Sequence, residues 1–351
     1  MRLGIGYGIL TVGLMLGIAS ACVKVDPGAA APGLSTCAVT FQTPIINAAT
    51  KADPSKVEYP QESSFGVYGL YYQSGNFSGW ESTPGAVMYI DGVEFRHSQA
   101  SGTSEQGVWT SDPIYYWPKG GKMTFGAWSP YSLKEEYAEG FSYGKSGLAI
   151  SGFSSGTGGA TDLMYADRVY DQTHSGADGI DLVFHHSLAA LKFKKAGSDD
   201  KVTIKITKVI VWGIIKKGNF SENVIESATS PSSYASNPQW EFSTAEYYTE
   251  EAPLTIGGSE SPEAYIIPQD ISDSAKMKVY YSVQVGTGNP VQAVSDPINM
   301  AGKKTSDGTQ TIANWNMSTR YIYNLTFTSL HPIRFSIDVN DWGGQLTDIS
   351  D

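Results

Sequence analysis

Val202-Thr203-Ile204-Lys205-Ile206 and Tyr321-Ile322-Tyr323-Asn324-Leu325-Thr326-Phe327 are the stretches that decide the fold class. In the first, Val202, Ile204 and Ile206 alternate with Thr203 and Lys205; in the second, Tyr321, Tyr323, Leu325 and Phe327 fall on one face. A period of two sends successive side chains to opposite faces of a strand, as a half-buried sheet requires. Outward from these, β-rich segments recur between turn residues: Phe65 to Tyr72, Ala86 to Phe95, Met123 to Trp128, Leu148 to Phe153 and Leu163 to Tyr170. A polar stretch, Asp171 to Gly179, separates them from a second set. That set comprises Asp181 to Phe193, Val202 to Ile215, Ala264 to Ile267, Lys276 to Val285, Tyr321 to Phe327 and Ile333 to Val339. No segment sustains a helical period, and the region from Ser221 to Pro253 reads as an irregular excursion carrying only short strands. The class is all-β, and the spacing suits a sandwich.

The chain has 351 residues, longer than one hydrophobic core usually serves, so two domains are expected, at 37–175 and 176–351. Apolar residues make up 41% and charged residues 17%, which excludes disorder, while 38 Gly and 21 Tyr suit strands joined by tight turns. The net charge is −11 and no basic run is long enough to neutralise a series of phosphates, so nucleic acid is not an expected partner.

Residues 1–21 carry one charge, Arg2, ahead of an apolar stretch that is short for a membrane span, and they read as a signal peptide. Small residues lead directly into Cys22, a lipobox-like end that makes Cys22 the expected site of lipidation and of attachment to the outer membrane. Residues 22–36, rich in Ala, Pro and Gly, suit a tether. With Cys22 acylated, Cys37 is the one cysteine left, and no internal disulfide is expected. Val39, Phe41 and Ile45 then fall on one side of a strand, with Thr40, Gln42 and Pro44 on the other. The polar stretch from Asn47 to Pro54, containing Lys51 and Ala52, has the composition of an exposed loop open to proteolysis, which makes the first strand detachable.

Chemistry has no candidate residues in this sequence. His185 and His186 are adjacent and point to opposite faces of a strand, with no third ligand at a metal-binding spacing. Gly140, Gly144, Lys145 and Ser146 miss the phosphate-loop spacing by one residue. Glu135/Glu136 and Glu250/Glu251 sit in polar loops as solvated charge. No nucleophile elbow is present; no catalytic residue, metal or cofactor is expected. Asp273-Ser274-Ala275 matches a short pattern for surface O-glycosylation.

Several segments together resemble the fimbrillin family, in particular its Mfa-like branch from type V pili. They are Phe65-Gly66-Val67-Tyr68; Tyr115-Tyr116-Trp117-Pro118 leading to Phe125-Gly126-Ala127-Trp128-Ser129-Pro130; Asp162-Leu163-Met164-Tyr165-Ala166; Val183 to Ala189; Ile266-Ile267-Pro268-Gln269; and Tyr321-Ile322-Tyr323 through to Asp341-Trp342. The resemblance implies two tandem seven-stranded sandwiches of Greek-key, transthyretin-like topology. It implies a lipoprotein precursor cut in the loop after the first strand, here after Lys51, whose emptied groove accepts a strand from another fimbrial subunit. Such a protein serves adhesion as a structural or accessory subunit, tip or anchor, of a surface fimbria. Only Leu346 and Ile349 are apolar beyond Trp342, a weak donor strand, so a subunit that accepts without donating is favoured. The alternative is a monomeric surface lipoprotein that binds glycans through exposed aromatics, although Trp117, Trp128, Trp212 and Trp342 are expected in the cores, as aromatics of a sandwich commonly are.

Overall fold

The computed structural model describes residues 34–46, 57–98, 107–155, 161–174, 179–197, 202–226, 234–257, 263–328 and 331–342. Among these the only helix is Leu133–Glu136, one turn long; everything else regular is strand. No helix here is long and apolar enough to cross a membrane.

The first half is organised on a nine-stranded sheet. Its order runs Val57–Glu58, Ile45–Ile46, Val183–His186, Met164–Ala166, Lys122–Ser129, Ser64–Tyr72, Val87–Ser98, Val108–Ser111, with Val169–Gln172 also paired to Lys122–Ser129. Its interior is aromatic: Phe65, Phe95, Phe125, Trp109 and Phe184 are all fully buried. Gly66 lies opposite Trp128 in the ladder, and a Cβ there would sit 2.0 Å from the indole, so the ring can cross the strand only over a glycine.

The second half stacks two sheets around one core. One has the order Glu263–Ile266, Ala189–Gly197, Thr319–Thr328, His331–Asp341. The other runs Leu254–Gly257, Val202–Trp212, Lys276–Val285, Val291–Val294, with Ile298–Asn299 also on Lys276–Val285. Leu191, Phe193, Val209, Val211, Met277, Tyr323 and Leu325 fill the space between them.

A third sheet corrects the expected layout. Gly147–Ser154, read as a strand of the first set, pairs with Phe141–Gly144 on one side and with Ile215–Ser221 on the other, and Gln239–Tyr247 follows at the edge. Strands from both halves thus share one sheet, over a core that includes Tyr68, Trp128, Leu148, Leu188, Phe220, Ile267 and Trp342. The expected continuous strand from Asp181 to Phe193 is two strands: Val183–His186 joins the first sheet, Ala189–Gly197 the second half, and the join is the buried Ser187-Leu188. Gln239–Tyr247 is nine residues long, which corrects the expectation that the 221–253 region holds only short strands.

At the meeting of these layers lies a buried ionic cluster. Arg168 Nη1 is 3.0 Å from Glu226, both side chains nearly inaccessible, and its guanidinium lies 4.6 Å from the Trp80 ring. It also donates to the carbonyls of Gly144 and Lys145. Glu222, fully buried, accepts from the Leu148 amide at 2.8 Å and from Ser236 Oγ at 2.9 Å. Burial pushes its carboxyl up to about 7, against an ordinary 4.5. In the full-length chain Cys37 is disulfide-bonded, with the other half of the bond outside the described residues; the expectation of no internal disulfide concerns the chain once Cys22 is acylated.

Candidate strand-exchange site

The nine-stranded sheet has two ends that face one another, and the first segment of the chain joins them. Leu34–Ala38 runs antiparallel to Tyr116–Pro118. Farther on, the Val39 amide donates to Tyr115 O at 2.8 Å, and Phe41 and Trp109 exchange both backbone hydrogen bonds, at 3.0 and 2.9 Å. On the opposite flank the Ile180 amide donates to Thr40 O at 2.9 Å, the Gln42 amide to Ile180 O at 3.1 Å, and the Ile45 amide to Leu182 O at 3.1 Å. Ile45–Ile46 continues this flank in parallel with Val183 and Phe184. The segment is therefore antiparallel to one neighbour and parallel to the other, with main-chain hydrogen bonds on both sides.

Its side chains plug the aromatic interior. Val39 and Phe41 are fully buried. The Phe41 ring meets Phe65, Phe95 and Phe125 edge-on, with centroids 5.6, 4.9 and 5.7 Å away. Edge-to-face pairs add about 0.5–1.5 kcal/mol each beyond the burial of a Phe side chain. Alternation does not continue as the sequence suggests: Thr40 is also buried, Gln42 is exposed, and beyond Pro44 it is Ile46 that is buried while Ile45 is half-buried. The Thr43-Pro44 pair shifts the period, since proline has no amide to give a ladder.

Two residues of the site carry no signal in the sequence pattern. A Cβ on Gly179 would stand 2.8 Å from the Gln42 amide nitrogen and 2.9 Å from the Phe41 carbonyl carbon, so only glycine lets the Ile180 flank approach the first segment this closely. Tyr59 is buried; its hydroxyl donates to Ser64 O at 2.9 Å and lies 2.6 Å from Ser129 Oγ, and burial pushes its phenol well above the ordinary range. Tyr59 also stacks on Phe184, a side-chain contact to the sheet beside the main-chain pairing of 57–59 with 44–46. Trp109 Nε1 is buried with no hydrogen-bond partner among the described residues.

Cys22, Lys51 and Ala52 lie outside the described residues, as do Leu346 and Ile349. The alternative donor, Ile333 to Val339, is built into its sheet. His331–Asp341 pairs along Thr319–Thr328, Ile337 is fully buried, and the Ser306 amide donates to Ile337 O at 2.9 Å. His185 and His186 do part to opposite sides: His185 Nε2 lies 2.9 Å from Asp167, while buried His186 pairs with Asp162 and stacks on Trp342 at 3.8 Å. No group of metal-ligating side chains occurs among the described residues. Of the tryptophans, Trp117, Trp128 and Trp342 are buried in cores, and Trp212 is half-buried.

Comparison with solved structures gives matches of low identity. A candidate cell adhesion protein from Bacteroides uniformis is 15% identical, with a TM-score of 0.48, over 87% of this chain and 98% of that one. A fimbrial protein from Bacteroides vulgatus is 15% identical, with a TM-score of 0.45, over 86% and 99%. The tip fimbrial protein Mfa3 from Porphyromonas gingivalis is 10% identical, with a TM-score of 0.36, over 86% and 99%. No curated protein sequence matches. The family model described as fimbrillin-like matches residues 61–342, most of the chain, including the flanks at 107–118 and 179–184. On that match, the chain belongs to the fimbrillin-like family.

Proposed function

We propose that this protein is a cell-surface fimbrial subunit, structural or accessory, delivered to the outer membrane as a precursor acylated on Cys22 and assembled with other subunits by strand exchange. Cleavage after Lys51 detaches residues 34–46 from the covalent chain, and a partner's strand takes their place. The observation that carries this reading is that residues 39–46 bridge the two ends of one sheet while their side chains fill its aromatic interior. Losing them opens three main-chain edges, along 107–118, along 179–184 and at 57–59, and an apolar slot between the first two. An edge of unpaired amides and carbonyls is a template for a new strand, and the slot selects its side chains. The full pairing of His331–Asp341 favours a subunit that accepts a strand without giving one.

The test is limited trypsin cleavage of the purified chain in the 47–56 loop, followed by addition of a labelled synthetic peptide of residues 35–46. Exchange of the labelled peptide for the resident strand, and failure of a Phe41→Asp peptide to exchange, are expected. A nicked protein that holds its own strand against excess peptide would remove the reading. Trp117, Trp128 and Trp342, buried in cores, offer no ring to the exposed-aromatic alternative.

A further inference from the structure

One sheet face departs from the acidity of the chain. The five strands Leu254–Gly257, Val202–Trp212, Lys276–Val285, Val291–Val294 and Ile298–Asn299 carry four lysines and no Asp or Glu, in a protein of net charge −11. All four lysines share the face turned away from the core. Met277 and Val279 are fully buried inward, so Lys276, Lys278 and Tyr280 point outward. Across the ladder they stand opposite Trp212, Ile210 and Lys208. Lys205 and Lys208 are three apart and in a regular strand would face opposite ways; a register shift between Ile206 and Lys208 brings both to the outer side.

The ammonium groups are positioned. Lys208 Nζ lies 4.2 Å from the centroid of Tyr280, and Lys278 Nζ lies 5.6 Å from that of Trp212 and 2.6 Å from Glu250 Oε1. Such contacts hold a flexible side chain in place by about 0.5–1 kcal/mol each at exposed sites. Around the lysines the register sets Thr203, Ser282, Gln284, Gln292 and Thr255, hydroxyls and amides suited to sugar hydroxyls. Val294, which is exposed, lies opposite Tyr280. The carboxylates placed against Lys278 are Glu250, which pairs with it, and Asp296 near it.

We infer that this face binds an anionic polysaccharide. Spaced ammonium groups among neutral donors and acceptors, on a flat sheet, complement a chain of charged and hydroxylated sugars. Nucleic acid fits less well. Both aromatic rings are already covered by an ammonium, leaving no open rings for bases. The inference does not depend on strand exchange, since this face belongs to a different sheet from the first segment.

The test is binding of the full chain to immobilised heparin, with neutral dextran as control and single-stranded DNA as competitor. Saturable binding that weakens with salt is expected, about tenfold weaker or more when Lys205, Lys208, Lys276 and Lys278 are all changed to Gln. The four-fold Lys→Arg variant keeps affinity. Glu250→Gln, which frees Lys278 without removing a cation, tightens binding and reads the site even if the glutamine variant folds poorly. Gln at the exposed Lys194 and Lys195 of the neighbouring sheet leaves binding unchanged. Retention on heparin no greater than on dextran, wild-type affinity in the four-fold Gln variant, or stronger competition by DNA than by soluble heparin would each overturn the assignment.

Discussion

Replacing Phe41 by Ala removes a fully buried ring from a pocket made by Phe65, Phe95 and Phe125. Truncations of buried Phe in close-packed interiors cost about 3–5 kcal/mol, the lost transfer energy plus the cavity left behind. Three aromatic walls of fixed geometry give little room for collapse, so the upper part of that range is expected. The cost falls on the equilibrium between a seated and a released first strand. That equilibrium is read at two amides that donate to the segment, Trp109 to Phe41 O and Ile180 to Thr40 O. Hydrogen exchange at both should speed up by about two to nearly four decades in the Phe41→Ala protein, with 1.4 kcal/mol to a decade. Amides in the Lys276–Val285 ladder, which belong to the other half, should keep their protection. Gln42→Ala, at an exposed neighbour, should stay within about 0.5 kcal/mol. A change under tenfold at Trp109 and Ile180, or equal loss everywhere, would refute the picture of the first strand as a separately releasable element.

Gly179→Val drives a side chain into the Gln42 backbone, and the overpacking, about 1–3 kcal/mol, should speed release of the nicked first strand, with Gly179→Ala in between, measured by peptide exchange. Glu222 has a folded-state pKa of about 7 against 4.5, so the folded chain binds this proton more tightly than the unfolded one. Its contribution, about 3 kcal/mol, is full below pH 4.5 and lost as pH rises through 7. Urea midpoints should therefore fall from pH 5 to 8 more steeply for the wild type than for Glu222→Gln, and equal slopes would contradict the burial argument. With two cysteines in the chain, acylation of Cys22 and the disulfide at Cys37 exclude one another. Intact mass of the precursor not yet cut after Lys51 should show lipid on Cys22 and an alkylatable Cys37, whereas an unlipidated, non-alkylatable precursor would rule out the anchor.

Much of the fold is legible where burial is one-sided. Lys276 to Val285 is a strand over the residues expected, and Val202, Ile204 and Ile206 are less exposed than Thr203 and Lys205 between them. Periodicity fails where burial is two-sided or absent. From His186 to Leu191 every residue is buried, so no alternation marks Ser187-Leu188 as the point where the chain changes sheets. Gln239–Tyr247 is exposed almost throughout, on the outer edge of its sheet, and has no apolar stripe to betray it. Pairing of Gly147–Ser154 with Ile215–Ser221 joins residues some seventy apart, which a local pattern does not encode. At the site, Val39 and Phe41 stand out as alternating apolar residues. Gly179 does not, because its role is set by the backbone of a segment far away in sequence.

The most direct measurement is amino-terminal sequencing and intact mass of the protein from surface fractions of its native host, with and without protease inhibitors. The account predicts a species starting at Ala52, found in oligomers that resist mild detergent and lacking residues 34–46. A full-length, acylated monomer starting at Cys22, with no processed form in either preparation, would contradict it.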